Sequence, residues 1–415
     1  MSGSAAPLTR AFPGLRPAPG LAEAVAAPPY DVVSLEEARA LSAGRPWSFL
    51  HVSRPEIDLP DGTDPYDPAV YRKGAETFRG MREAGVLKVD AGPRYYVYRL
   101  VQGGHSQTGV VLAASVAAYE SGRILRHELT RPQKEDDRVR HIEALGAQTG
   151  PVFLTHRKHA GIDRLVSSVL AQAPEVDFTG VDGVRHTLWV VAEPERLVEF
   201  GAAFEAVGRL YIADGHHRSA AAARLARAHR AAGGAADAPS LYFLAVAFPD
   251  DQMRILAYHR VVADLGGLGP EAFLQRLGEG FEVQPSSSPV TPAAPGEWGL
   301  FLGQGWFRLR ARGGSLSAGD PVSRLDVSVL SDRVLGPILG IEDLRRDPRI
   351  DFVGGIRGLG ELERRVRSGE MAAAFALHPT QLSDLMAVAD AGLMMPPKST
   401  WFEPKLADGL VSHLL

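Results

Sequence analysis

Leu210-Tyr211-Ile212-Ala213, then Asp214-Gly215-His216-His217-Arg218, then the alanine-rich run Ser219–Ala232 read as strand, turn and helix in immediate succession. Backbone N–H groups at a helix start lack intrahelical acceptors, and the helix dipole is positive there. An anion is therefore favoured at such a junction. Gly215 lets the backbone come close to a ligand. Arg218 offers a planar fork that matches phosphate, and His216 and His217 add donors or a proton shuttle. The plain alternative is a capped helix, with Asp214 as N-cap and both histidines at the surface. Four functional residue types within five positions, at a strand-to-helix junction, favour a phosphate site over a cap.

Outward from this junction the elements alternate. Leu241–Phe248, Pro151–Thr155 and Thr187–Val191 read as strands, and Phe49–Val52 as a short one. Arg94–Val101 and Gln107–Val116 flank Gly103-Gly104, a hairpin signal. Ser34 with Glu37 forms a capping box, Tyr71–Ala84 is an amphipathic helix, and Thr130 through Ala147 is a helix with Thr130 as N-cap. Gln284–Gly299, rich in Pro and Ser, reads as a linker-like loop, with a strand resuming at Trp306–Ala311. The last quarter alternates strand Asp351–Gly354, helix Leu359–Ser368, strand Met371–Leu377 and helix Thr380–Ala391. No internal repeat is visible. The expected fold class is α/β or α+β, in three regions: an arm over 1–27, a core over 28–260 that carries this junction, and a C-terminal α/β region over 261–415.

Composition limits the function classes. The 415 residues are 45% hydrophobic and 23% charged, enough to bury a large core. A net charge of −4 gives no electrostatic case for nucleic acid or a membrane surface. No apolar run approaches the roughly 20 residues of a spanning helix, and residues 1–16 lack a signal-peptide pattern. The expected setting is cytoplasmic. The chain has no cysteine, which excludes disulfides, thiolate metal sites and cysteine nucleophiles.

Three further constellations carry chemistry. Glu128, just before the helix beginning near Thr130, is placed to act as a general base or to hold Mg²⁺ through water. On that helix Lys134, Arg138 and His141 fall at i, i+4 and i+7 and share one face; a solvated, salt-bridged face is the bland account. His127-Glu128 is not a zinc-protease start, because position 131 is Arg. Asp31 follows Pro28-Pro29-Tyr30 in a segment stiffened by two prolines, as a carboxylate ligand, a base or a turn residue. Lys398, Ser399 and Thr400 follow Pro396-Pro397. They lack Walker A spacing, and Pro397 lacks the N–H of a phosphate cradle. That turn either presents the three side chains to phosphate or is a structural turn anchored by Trp401 and Phe402. No residue set makes a certain metal site.

Pro28-Pro29-Tyr30-Asp31-Val32, His127-Glu128-Leu129-Thr130 with Lys134–Arg138, Ala213–Arg218, and Met395–Thr400 with Phe402 and Pro404-Lys405-Leu406 together resemble the family catalogued as domain of unknown function 1015. The Gly-His-His-Arg element is also similar to the nucleotide-binding turn of the ParB and sulfiredoxin superfamily, which includes free-serine kinases. The resemblance implies a ParB/sulfiredoxin-like mixed-sheet core. It also implies that Gly215, His216, His217 and Arg218, next to Asp214, bind a phosphate chain, with ATP or ADP and Mg²⁺ as the expected co-substrate and cofactor. His216 stands where sulfiredoxins carry their cysteine, so sulfinic-acid reduction is not implied. The expected activity is phosphoryl transfer to a small hydroxyl substrate, serine or phosphoserine. Asp31, Glu128 and His217 are the catalytic candidates; Lys134, Arg138, Lys398, Ser399 and Thr400 are the supporting phosphate contacts. The alternatives are a phosphoserine-type phosphatase and a non-catalytic nucleotide-binding regulator.

Overall fold

The computed structural model describes residues 6–313 and 320–415. They form two compact units. The first contains the described residues up to Arg126, Thr130–Met253 and Pro404–Leu415; the second contains His127–Leu129 and the described part of Arg254–Glu403. The chain therefore leaves the first unit at Met253 and returns to it at Pro404.

The first unit is built on a mixed sheet. From edge to edge it runs Ile124–Leu125, Leu210–Asp214, Val152–His156, Tyr242–Pro249, His105–Ser115, Tyr95–Gln102, Arg185–Val191 and Val176–Thr179. The pairs Leu210–Asp214 with Ile124–Leu125 and Tyr242–Pro249 with Val152–His156 are parallel, and the rest of this path is antiparallel. The hairpin expected around Gly103-Gly104 is present, with Gln102 opposite His105. The segment read as an arm contributes strands: Thr9–Arg10 pairs with His105–Ser115, and Gly14–Pro17 joins a second sheet with Leu87–Val89 and Ser412–Leu414.

Apolar side chains on one face of the large sheet, such as Leu112, Leu154 and Ile212, meet Phe200 and Phe204 from the helix Pro194–Val207. Full burial of each phenylalanine is worth about 1.5–3 kcal/mol of transfer free energy. The helix His216–Ala231 buries Ala220 to Ala223 and Ala226. Small side chains let its axis lie close to the sheet, and Arg224 ties it to the helix Pro132–Leu145 through Asp136 at 2.6 Å.

The second unit has a six-stranded antiparallel sheet: Phe281–Ser286, Gly305–Ala311, Glu297–Leu302, Ala373–Leu377, Tyr258–Val262, Ile350–Gly354. Its core gathers Val261, Val290, Phe301, Trp306 and Leu362. The chain is thus α/β with a large mixed sheet in the first unit.

Local expectations fail at four places. Phe49–Val52 lies in a short helical turn, Leu50–Ser53, because Phe49 and Leu50 pack with Phe78 and Met81 from the helix Pro68–Glu83. Arg131, not Thr130, is the N-cap of the helix Pro132–Leu145. The Pro- and Ser-rich stretch 284–299 is only partly a loop. Its beginning completes the edge strand Phe281–Ser286 and its end enters Glu297–Leu302, since Pro285 is tolerated on an edge strand. The helix after Gly215 begins at His216, three residues before the alanine run.

Candidate functional site

The strand Leu210–Asp214 shifts register against Val152–His156 between Ile212 and Asp214. Such an irregularity re-aims the side chains beyond it. Asp214 then sits at the strand end, and Gly215 holds the N-cap position with φ +96°. That left-handed backbone suits glycine and strains other residues. A Cβ on Gly215 would also lie 3.0 Å from Nε of Arg218. Gly215→Ala is therefore expected to destabilise the chain by about 1–3 kcal/mol and to displace the guanidinium. A urea-unfolding midpoint unchanged from wild type would contradict this.

The early start of the helix places His216, His217 and Arg218 in its first turn. Among the described residues, the amides of His217 and Arg218 have no hydrogen-bond acceptor. These are the donors that a helix N-terminus leaves for an anion. Asp214 is not the cap. Its Oδ1 accepts from the Gly215 amide at 2.7 Å and its Oδ2 accepts from Nζ of Lys405 at 2.9 Å. Burial alone would raise this carboxyl's pKa, but the Lys405 and Arg218 charges reverse the effect and hold it well below the usual carboxylate range.

Arg218 is largely buried, with 11% of its side chain exposed. It donates to the Pro151 carbonyl, and its Nη2 lies 3.8 Å from Asp214 and 3.9 Å from Asp31. Burial opposes its charge, yet Asp31 and Asp214 keep its pKa above the ordinary arginine value. Arg138 is buried beside it in the wall of one small cavity, about 20 Å³, which also touches Tyr30, Thr149 and Asp408. The Arg138 guanidinium lies 4.0 Å from the centre of the Tyr30 ring and pairs with Asp137 at 2.7 Å. Tyr71 donates to the other oxygen of Asp137 at 3.0 Å, so that carboxylate is fully engaged.

Of the sequence-predicted residues, Asp31, Arg138 and Asp214–Arg218 come together in the first unit. His216 is buried. His217 accepts the Arg131 amide at Nε2, 3.0 Å away, and burial pulls its pKa down. A neutral ring with that nitrogen occupied ties the start of one helix to the other and leaves no lone pair at Nε2 for base catalysis. Lys134 is exposed, with its ammonium 5.6 Å from the Tyr66 ring centre, while Arg138 and His141 are buried, so the expected shared face is split. His141 is pushed down to about 4 by burial and is bonded to the Val52 carbonyl, which makes it structural. Glu128, Lys398, Ser399 and Thr400 belong to the second unit. There the Ser399 hydroxyl is turned inward, donating to the Pro396 carbonyl at 2.7 Å.

Two residues of the cluster were not singled out as site residues in the sequence. Lys405 is the ion-pair partner of Asp214. Asp408 is 1% exposed, and no side-chain donor reaches either of its buried oxygens. Burial pushes its pKa up to about 7, against the pull of Arg218. Lys405 had one advance signal, its place in the Pro404-Lys405-Leu406 segment that resembles the family pattern, and Asp408 had none. A hollow of about 740 Å³ in the second unit, lined by Ser328, Asp332, Pro337 and Pro396 among others, contains none of the sequence-predicted site residues. Among the described residues no helix is long and apolar enough to cross a membrane.

Residues 9–328 match the family described as Protein of unknown function (DUF1015). No curated protein matches the chain. Solved structures similar to it include a free serine kinase in complex with AMP, at 16% identity and TM-score 0.34, over 73% of this chain and 92% of that one. A conserved hypothetical protein from Pyrococcus furiosus is similar at 16% identity and TM-score 0.33, over 73% and 94%. SbnI with a C-terminal truncation, from Staphylococcus aureus, is similar at 14% identity and TM-score 0.37, over 72% and 86%.

Proposed function

We propose, from the premise that this chain belongs to the DUF1015 family, that it binds the phosphate chain of ATP or ADP at Asp214–Arg218 and transfers a phosphoryl group to a small hydroxyl substrate. The observation that carries this reading is the pair of unpartnered amides at His217 and Arg218, beside the buried guanidinium groups of Arg218 and Arg138. Phosphoryl transfer asks a protein mainly for positioning and charge neutralisation, and amides with guanidinium groups supply both.

In this reading Arg218 and the first-turn amides hold phosphate oxygens. Lys405 and Asp214 fix the turn that aims them. Gly215, having no Cβ, leaves Arg218 room to lie across the turn. The residues present fit a phosphate chain: donors converge on one helix end. The fit to Mg²⁺ is narrower. In the first unit's cluster, Asp137 is engaged by Arg138 and Tyr71, Asp214 by Lys405, and Asp408 is sealed by burial that favours its protonated form, which leaves exposed Asp31 as the carboxylate able to face a cation or to accept the substrate's hydroxyl proton. Bound magnesium would neutralise charge on the phosphates during transfer. Serine as acceptor is carried by the likeness of the Asp-Gly-His element to that of free-serine kinases.

The test incubates the purified chain with ATP or ADP, Mg²⁺ and a panel of hydroxy amino acids, and follows phosphorus by NMR. A new phosphomonoester resonance with matching loss of nucleotide is the expected result. Nucleotide binding with no turnover across the panel would point instead to a nucleotide-binding regulator. Phosphate release from phosphoserine without nucleotide would point to a phosphatase.

A further inference from the structure

In the second unit, Arg260 lies on the strand Tyr258–Val262 and is 1% exposed. A buried guanidinium is normally matched by a carboxylate, because an unpaired buried charge is strongly disfavoured. Among the described residues Arg260 has no carboxylate within ion-pair distance. Its partners are backbone carbonyls: Tyr258 at 2.7 Å, Lys398 at 2.9 Å and Pro397 at 3.2 Å, with the Phe352 ring centre 4.9 Å away.

The carbonyls it holds belong to an unusual turn. Lys398 has φ +59°, and it alone among the described non-glycine residues has a positive φ. That position of a turn ordinarily takes glycine or asparagine. The turn is over-determined by side chains. Ser399 Oγ holds the Pro396 carbonyl, Arg260 holds those of Pro397 and Lys398, and Thr380 Oγ1 holds that of Ser399 at 2.8 Å. Four consecutive carbonyls are thereby turned inward. The exposed Lys398 ammonium lies 5.6 Å from the Tyr258 ring centre and, among the described residues, is paired with no carboxylate. Backbone strain persists where the surroundings enforce it, and it concentrates at binding and switch sites. An exposed ammonium without a counter-charge, carried on a turn whose backbone is held in place from behind by Arg260, favours an oxyanion.

We infer that the Lys398 turn is a binding element for a phosphate-type oxyanion, and that Arg260 is the residue that positions it. The inference does not require phosphoryl transfer, and it concerns the second unit alone. Arg260 does not touch the anion. It clamps the carbonyls that force Lys398 into a left-handed backbone, and Lys398 makes the contact.

The chain contains six lysines, few enough for each to be resolved by NMR after reductive ¹³C-methylation, which keeps their charge. Lys398→Arg assigns the Lys398 signal. Titration with inorganic pyrophosphate is expected to shift that signal saturably, in the wild type and equally in Arg218→Met, so that loss of the first unit's site is read separately. In Arg260→Met the apparent affinity at this signal is expected to fall at least tenfold. A signal that does not move, or an unchanged affinity in a folded Arg260→Met, overturns the proposal. If Arg260→Met does not fold, Lys398→Gly decides. Glycine tolerates φ +59°, so an equal or higher melting temperature supports a strained, ligand-facing lysine. A lower one shows that the lysine side chain serves packing and overturns the proposal.

Discussion

Replacing Arg218 with methionine is expected to weaken ATP or ADP binding ten- to hundredfold. Hydrogen bonds to charged groups are worth about 1.5–3 kcal/mol each, more than neutral ones, and Arg218 is the guanidinium at the helix start. The same change removes the bond to the Pro151 carbonyl and leaves Asp31 and Asp214 with less positive charge nearby, so the unfolding midpoint should also drop. Arg218→Lys separates the two effects. It keeps the charge but not the planar fork, and should bind between wild type and methionine. Calorimetric titration with ATP, at matched salt, reads the affinities. A methionine variant that binds within twofold of wild type would mean that the phosphate lies elsewhere.

The second large effect concerns Asp408, where the expected direction is a gain. Its folded pKa stands near 7 against about 3.8 for an unperturbed carboxyl. Between those values the folded chain holds the proton more tightly than the unfolded one, so stability falls as pH rises through the window. Each unit corresponds to about 1.4 kcal/mol, which makes the burden about 4 kcal/mol at pH 8 and below about 1 kcal/mol near pH 4. Asp408→Asn keeps the shape and removes the charge. It should raise stability by about that amount at pH 8, with the gain vanishing towards pH 4. Denaturant unfolding at both pH values measures it, and a gain that does not depend on pH would rule out this cause. Asp214 should behave in the opposite sense. Its depressed pKa contributes stability above the ordinary carboxyl range, lost as the pH falls below about 4.

The strand-turn-helix at Leu210–Arg218 was legible because each residue there obeys a local rule: apolar strand, glycine at a left-handed turn, alanine helix. The hairpin over 95–115 and the Ser34 capping box, with its reciprocal bonds to Glu37, were legible for the same reason. The start of the helix at His216 was not, since His-His-Arg carries no apolar period. The helical turn at Leu50–Ser53 was hidden because tertiary packing on Phe78 and Met81, not local preference, decides it. The site was readable at its anionophilic end and unreadable at its carboxylate end. Nothing local announces that Lys405 will reach Asp214, or that Asp408 will be sealed beside Arg138 and Arg218 without a side-chain donor. Those are long-range facts of burial. Lys398 was visible as a residue type, but its left-handed backbone depends on Arg260, 138 residues earlier.

The return of the chain to its first unit at Pro404 has a consequence during synthesis. Asp214 leaves the ribosome 191 residues ahead of the lysine that neutralises it. At about 5–20 residues per second that is roughly 10–40 s. Throughout that interval the large sheet can be assembled while its Asp214–Arg218 turn lacks Lys405 and Asp408, and while the strand Gly14–Pro17 waits for Ser412–Leu414. The nascent chain therefore passes through a stage in which the charge cluster around Arg218 is incomplete and open to water, and translation of residues 404–415 supplies the groups that complete it.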